Sequence, residues 1–342
     1  MRRGLKTTAV GLASALVLSL VFVGRAASNS FEAARSFAGK ISEGIAAVST
    51  SYKAGGFQRG TGREGRALPA PVGFRESGGR GLLVRAWVNG AGPFEFALDT
   101  GAGASILSPR VAGAARVEVE ANGRGIEVGG LSGLSRPGAQ KAYVRSLAAG
   151  FKENSLPVRG LFIVAQGLPT DVDGILDPTE IFSPLGYVID FPRNELRVFD
   201  PRSTPLRAGD TPPGGAVVRW LSEGGSRRPF VMLAEGRRAL IDTGSGYGLA
   251  VNAAAARGLG IQAEAGGEGA GTRDLAGGRV ASRRVRPVTV NVGPLVLRGV
   301  PTDILLNAEK GAPVLLGRDA LRPFQMTFDP VNRLIMLRPV EE

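Results

Sequence analysis

Short apolar runs separated by glycine and proline dominate the chain from Gly81 onward. Examples are Leu82–Val88, Phe94–Leu98, Leu161–Val164 and Val288–Val292. Short apolar runs bounded by turn residues are typical of β-strands, whereas helices need longer segments with a wider period. The pattern therefore predicts an all-β fold for this part of the chain.

The N-terminal part has a different pattern. Arg2, Arg3 and Lys6 precede an uncharged, mostly apolar run over residues 7–23, and small residues follow. This order predicts a signal peptide or an N-terminal anchor over residues 1–26, with residues 7–23 as a possible membrane tether. Either form places the body outside the cytoplasm: periplasmic, secreted or anchored to the membrane.

Residues 27–80 are rich in glycine, serine, alanine and arginine and show no sustained apolar period after Val48. Such composition cannot bury enough apolar surface to fold by itself. We therefore expect a flexible stem or a pro-segment here, and the folded body from residue 81 onward.

The folded body contains one sequence unit twice. Residues 96–102 read FALDTGA and residues 239–245 read ALIDTGS, so Asp242 lies 143 residues after Asp99. A second apolar element follows each unit at a similar distance, GILD at 174–177 and VLLG at 314–317. The repeat predicts two lobes, residues 81–205 and residues 206–342.

Each unit closes with a similar hairpin pattern. The patterns span residues 187–196 and 326–334 and contain Asp190 and Asp329. Aspartate often caps turns, so we expect these two residues to be turn residues. A single Asp-Thr-Gly would also be interpreted as a turn capped by its aspartate. Two copies in matching surroundings favour a functional pair.

Composition narrows the chemistry. The 342-residue chain has no histidine and no cysteine. Catalytic triads based on histidine, thiol nucleophiles, zinc sites with His or Cys ligands and disulfides are all excluded. An enzyme of this composition works with carboxylates, hydroxyls, lysine or arginine, and we expect no metal and no cofactor.

Charge does not point to nucleic acid. Lysine and arginine number 42 against 30 acidic residues, a formal net charge of +12, but the chain has only two tryptophans and four tyrosines. A groove that stacks bases needs aromatic side chains among the cations. We therefore expect no nucleic-acid partner.

The paired motifs resemble those of the aspartic proteases, and the lobe size resembles the retropepsin-like branch more than the pepsin-like one. The resemblance implies a two-lobed acid-protease-like fold with pseudo-twofold duplicated β lobes and a cleft between them. It implies that Asp99 and Asp242 are catalytic. It assigns supporting positions to Thr100, Gly101, Ala102, Thr243, Gly244 and Ser245, with the threonine hydroxyls bonding across to the opposite loop.

The same resemblance implies an aspartic endopeptidase that binds a peptide or protein in extended conformation. Candidate flaps over the cleft are Gly129–Tyr143 and Gly266–Gly278, with Tyr143 either a flap aromatic or an ordinary strand residue. We favour a monomer with one site between its lobes. The alternatives are half-sites that require homodimerisation and a catalytically inactive envelope protein that binds peptides.

One position departs from the family pattern. Asp177 stands where the second copy has Gly317. A side chain and a charge at this position predict either a distorted first lobe or an Asp177 that points to solvent in a relaxed turn.

Overall fold

The computed structural model describes residues 67–340 apart from 78–80, 121–124, 159, 170, 223–225, 235, 263–266, 268 and 270. The predicted signal or anchor segment, residues 1–26, and most of the predicted stem lie outside the described residues. Within the described ranges, no helix has the length and apolarity needed to cross a membrane.

The described chain is built mainly from β-strands, which confirms the all-β prediction. The strands before residue 200 are β1 (Val72–Gly73), β2 (Arg75–Ser77), β3 (Gly81–Val88), β4 (Ala91–Leu98), β5 (Ile106–Leu107), β6 (Glu118–Val119), β7 (Ile126–Gly129), β8 (Ser135–Val144), β9 (Leu147–Ala149), β10 (Gly160–Val164), β11 (Gly174–Leu176), β12 (Gly186–Asp190) and β13 (Glu195–Phe199). The strands after residue 200 are β14 (Ala216–Arg219), β15 (Phe230–Met232), β16 (Arg238–Asp242), β17 (Leu249–Asn252), β18 (Thr272–Arg273), β19 (Arg279–Val280), β20 (Ser282–Val292), β21 (Leu295–Leu305), β22 (Val314–Gly317), β23 (Phe324–Asp329) and β24 (Leu334–Pro339). Short helices are α1 (Pro109–Ala114), α2 (Pro178–Ile181), α3 (Ala253–Gly258) and α4 (Arg318–Leu321).

Three large sheets organise these strands. One sheet contains strands β2 to β11, all from the first half of the chain. A second sheet has the order β15-β16-β22-β17-β21-β20, all from the second half. The third sheet has the order β1-β13-β12-β23-β24-β14 and therefore takes strands from both halves. Tyr187 of β12 stacks on Phe328 of β23 with ring centroids 4.6 Å apart, so aromatic packing joins the halves in this shared sheet.

The sequence repeat is also a repeat of topology. In the first half β4 runs parallel to β11, with Leu98 opposite Leu176. In the second half β16 runs parallel to β22, with Ile241 opposite Leu316. Each Asp-Thr-Gly therefore leaves the same position of an equivalent pair of strands.

The hairpin aspartates are turn residues, as predicted. Asp190 accepts a hydrogen bond from the backbone N–H of Arg193 at 3.1 Å. Asp329 accepts from the N–H groups of Val331 at 3.0 Å and Asn332 at 2.8 Å. Both carboxylates stabilise turns that connect strands of the shared sheet.

The prediction of a flexible stem over residues 27–80 is wrong at the C-terminal end of that segment. Residues 72–77 form β1 and β2, which pair with β13 and β3, and the side chains of Val72 and Phe74 are buried in the main core. The alternating Val72-Gly73-Phe74 pattern is too short to stand out from the polar sequence around it, and only the partner strands make it a strand. The folded body thus begins before Gly81, while the division at residue 205 stays a prediction.

Candidate active site

The two Asp-Thr-Gly turns lie face to face in the interior of the protein. Asp99 and Asp242 are both completely buried. A Cβ atom placed on Gly101 would lie 2.8 Å from Cγ of Asp242, and one placed on Gly244 would lie 2.5 Å from Cγ of Asp99. Each carboxyl group therefore packs against the backbone of the opposite glycine, at a distance that no other residue allows.

Four hydrogen bonds made by the two threonines join the turns. The Thr100 hydroxyl donates to the carbonyl of Ile241 at 2.6 Å, and the Thr243 hydroxyl donates to the carbonyl of Leu98 at 3.0 Å. Each hydroxyl oxygen also accepts the backbone N–H of the other threonine, both at 3.1 Å. This reciprocal set holds the two turns in register.

Backbone amides orient the carboxyl groups. Oδ1 of Asp99 accepts the N–H of Gly101 at 2.7 Å. Oδ1 of Asp242 accepts the N–H groups of Gly244 at 2.9 Å and Ser245 at 3.1 Å. Burial, followed by the neighbouring charge of Asp242, raises the pKa of Asp99 well above its usual range. The pair therefore favours a state in which one carboxyl keeps a proton.

The small residues after each Asp-Thr-Gly are buried. Ala102 lies in an aliphatic cluster of the first half. The Ser245 hydroxyl accepts the N–H of Tyr247 at 3.3 Å, and its carbonyl accepts the N–H of Arg318 at 2.9 Å. All eight residues predicted for the site are thus gathered around the two turns.

The loops that follow the turns differ in length by one residue. Helix α1 is capped by Ser108 and helix α3 by Asn252; Ser108 lies nine residues after Asp99, and Asn252 lies ten residues after Asp242. In the longer loop the carbonyls of Ser245 and Tyr247 reach the end of β22, so a Cβ on Gly317 would lie 2.8 Å from the Ser245 oxygen. Glycine is therefore required in the second copy.

The shorter first loop leaves room for a side chain at Asp177, which is only 1% exposed. Its N–H donates to the Ser105 hydroxyl at 3.1 Å, and its carboxylate accepts the N–H of Thr179 at 2.9 Å as the cap of helix α2. The expectation that Asp177 points to solvent is wrong. The expected distortion is absent as well, because Leu176 keeps the register with Leu98 that Leu316 has with Ile241.

Two hairpins have the positions expected for flaps. The first is β7–β8, with its turn after Gly129, and the second is β18–β19, with its turn after Arg273. Leu131 at the first tip is buried in a cluster of second-half residues, while Leu275 at the second tip is buried in a cluster of first-half residues. The N–H of Ser132 donates to Asp274 at 2.9 Å, so the two tips also contact each other.

Tyr143 is an ordinary strand residue and is not part of a flap tip. It lies far along β8, paired with Leu161 of β10, and is 45% exposed. The tip residues Leu131 and Leu275 were not singled out from the sequence. A usable signal existed, since Leu131-Ser132-Gly133 and Leu275-Ala276-Gly277 are a further match between the two copies.

Sequence reasoning also missed Arg318. This buried arginine donates through Nη1 to the carbonyl of Thr243 at 2.8 Å and through Nε to Glu76 at 3.1 Å. It thereby supports the second turn and ties it to strand β2. Among the described residues, no group of three or more acidic side chains is arranged to hold a metal ion.

Comparison with known protein families gives a match in the second half of the chain. The family model described as aspartyl protease matches residues 235–320, a segment that includes β16, the second Asp-Thr-Gly turn, the β18–β19 hairpin and β22. No curated protein matches the chain. The family match supports an aspartic protease family, and hence a protease hydrolase, for this chain.

Proposed function

We propose that the protein is an aspartic endopeptidase whose single site lies between Asp99 and Asp242. The observation that carries the proposal is the mutual packing of the two turns, in which each carboxyl group lies against the glycine of the other. A pair of strand-ending turns with only a structural role has no need to bring two buried acids together, because burying like charges is unfavourable.

The chemistry follows from a pair that shares one proton. The ionised carboxyl takes a proton from a water molecule as the water oxygen attacks the peptide carbonyl carbon, and the protonated carboxyl donates its proton to the carbonyl oxygen. In the second step a proton passes to the amide nitrogen, the C–N bond breaks, and an acid and an amine leave. The two carboxyls exchange these roles, so we assign no separate acid and base.

The substrate in this proposal is a peptide in extended conformation beneath the two flap hairpins. An extended chain pairs with strand edges through its backbone and presents alternate side chains to the apolar surfaces on either side. In the present structure Leu131 and Leu275 at the tips of these hairpins are buried in the apolar clusters of the opposite halves. The flap tips must therefore withdraw before a substrate enters.

The test is peptide hydrolysis by the full chain at acid and neutral pH. Asp99→Asn and Asp242→Asn should each abolish cleavage, because one carboxyl cannot supply both proton transfers. Asp200→Asn, which alters a surface turn, is the matched control and should keep wild-type activity. Wild-type activity in both site variants would refute the shared mechanism.

The same experiment addresses the other interpretations. A wild-type protein that binds peptides but never cleaves them is an inactive peptide-binding protein. Specific activity that rises with protein concentration indicates half-sites on separate molecules. We further propose an extracytoplasmic location and a monomeric state; the N-terminal charge and apolar pattern supports the first, and the pairing of both turns within one chain supports the second.

A further inference from the structure

Asp177 lies next to the candidate dyad in the fold. Parallel strands β4 and β11 end together, with Leu98 opposite Leu176, and Asp99 and Asp177 are the next residue on each. The N–H of Asp99 donates to the carbonyl of Leu176 at 3.0 Å. The accepting carbonyl belongs to the peptide unit that joins Leu176 to Asp177. The Asp177 backbone is therefore attached directly to the hydrogen bond that positions Asp99.

The Asp177 side chain is buried and only partly hydrogen-bonded. Oδ1 accepts the N–H of Thr179 at 2.9 Å. Oδ2 is shielded from solvent and has no hydrogen-bond partner among the residues that the structure describes. A carboxylate in this setting is costly. Capping a four-residue helix does not require such burial, since Ser108 caps α1 with a neutral hydroxyl.

Each element packed around Asp177 brings a titratable, charged or polar group. Glu180 of helix α2 accepts the N–H of Ser105 at 2.7 Å, and Tyr187 of β12 bonds to Thr179 at 2.9 Å. Asp99 lies on the adjoining strand end, and the exposed Arg227 acts on both Asp177 and Glu180 from the loop before β15. Of the charged neighbours, acidic Asp99 is buried and acidic Glu180 is half-buried, whereas the positive Arg227 is exposed.

We propose that Asp177 is a positioning residue for the dyad, a third acidic group whose charge raises the pH at which Asp99 and Asp242 lose their shared proton. This inference rests on the proposed peptidase function. Burial, then the charge of Glu180, raises the pKa of Asp177 to about 7. Asp177 is therefore neutral in acid and becomes negative around neutrality, where its charge opposes full ionisation of the pair.

The sign of the effect follows directly. A negative Asp177 stabilises the protonated form of the neighbouring pair, so the shared proton is kept to higher pH. Asp177 adds to the elevated pKa of Asp99, after the larger contributions of burial and of Asp242. Removing its charge should shift only the alkaline limb of the activity profile, because in acid the wild-type side chain is already neutral.

The experiment compares kcat/KM across acid, neutral and mildly alkaline pH for the full-length wild type, Asp177→Asn and Asp177→Ser. Asparagine and serine both cap helices as well as aspartate does. We expect both variants to move the alkaline limb to lower pH by less than about one unit, because Asp177 contributes less to the raised pKa of Asp99 than burial and Asp242 do. Asp200→Asn should leave the limb in place.

A role confined to capping α2 predicts an unmoved limb in both variants, and that result, or a shift to higher pH, would overturn the proposal. A second measurement does not depend on activity or on one variant. Carbon-13 NMR of the Asp99 and Asp242 carboxyls should show the pair titrating at lower pH in whichever variant folds. If the wild type cleaves no peptide yet this shift appears, the peptidase function fails and the coupling between Asp177 and the pair stands. Identical titrations of the pair in the wild type and the variants would refute the coupling.

Discussion

Two threonine hydroxyls supply the polar contact between the Asp-Thr-Gly turns. Thr100 and Thr243 each donate to a backbone carbonyl of the other half and accept a backbone N–H from it. All of these groups are buried, so water cannot replace a lost partner. Single residues at this contact therefore control both stability and the alignment of the carboxyls.

Thr100→Val tests this control. Valine keeps the shape but leaves the carbonyl of Ile241 and the N–H of Thr243 without partners, at about 1–3 kcal/mol for each buried group. We expect the free energy of unfolding in urea to fall by about 2–6 kcal/mol and peptide cleavage to fall sharply. Thr100→Ser retains the hydroxyl and should stay within about 1 kcal/mol of wild type; equal losses in both variants would contradict the assignment.

A second residue-scale prediction concerns stability and pH. The folded-state pKa of Asp177 lies above its ordinary value of 3.8, at about 7, so the folded protein holds a proton that the unfolded chain releases between these values. Stability linked to this group is complete below about pH 4 and is lost as the pH rises to about 7. Relative to wild type, Asp177→Asn should gain up to about 4 kcal/mol of unfolding free energy over this interval, measured by urea unfolding. A constant difference between the two proteins would show that Asp177 does not titrate in this range.

At the scale of elements, each candidate flap hairpin is anchored in the opposite half of the chain. Each tip buries one leucine in the apolar cluster of the opposite half. Leu131 is 0% exposed, whereas Leu134 at the other end of the same turn is 57% exposed. One buried leucine thus helps to hold each hairpin tip in place, together with the hydrogen bond from the N–H of Ser132 to Asp274.

Leu131→Ala should weaken the closed position of the first hairpin. Truncating a buried leucine lowers stability by about 2–5 kcal/mol. Here the lost packing should lower the free energy needed to open the hairpin. We expect amide hydrogen exchange, measured by mass spectrometry, to become faster over residues 126–144 and to change little in the shared sheet. Leu134→Ala is the matched control and should exchange as wild type does; equally fast exchange in both variants would mean that Leu131 is not the anchor.

The elements also show what the sequence can and cannot predict. The short apolar runs indicated the strands, and the repeated Asp-Thr-Gly identified both turns, because these signals are local. The tip leucines pack against residues that are distant along the chain, and Arg318 hydrogen-bonds to one. Their roles therefore appear only once the two halves have folded together. Asp177 was misjudged because its fit depends on a loop one residue shorter than its counterpart.

At the scale of the whole molecule, one chain supplies both halves of the candidate site. The shared sheet places the β12–β13 hairpin beside the β23–β24 hairpin, with β12 paired to β23. Strand β2 carries Glu76 to Arg318 beneath the second turn. The N-terminal strands are therefore part of the structure that supports the second turn, even though they precede the repeat.

A mixing experiment tests the single-chain site. Asp99→Asn and Asp242→Asn each retain one intact carboxyl, but in a monomer no molecule in the mixture contains both. We expect equimolar mixtures to remain inactive in a peptide-cleavage assay at every concentration. Recovered activity would show that sites form between molecules.

Two truncations test the N-terminal strands. Removing residues 1–67 leaves β1, β2 and Glu76 in place and should preserve thermal stability and cleavage. Removing residues 1–80 takes Val72 and Phe74 from the core and leaves Arg318 without its carboxylate, so we expect a large fall in melting temperature and loss of cleavage. Equal behaviour of the two proteins would show that this arm is dispensable.

The one-residue difference between the two loops has an evolutionary consequence. In an assembly of identical subunits every change appears on both sides of the symmetry axis, so an acid in place of Gly317 would have to be accommodated twice. Fusion of the halves into one polypeptide removes that constraint. The two sides of the site can then differ, as Asp177 with its shorter loop and Gly317 with its longer one do in this chain.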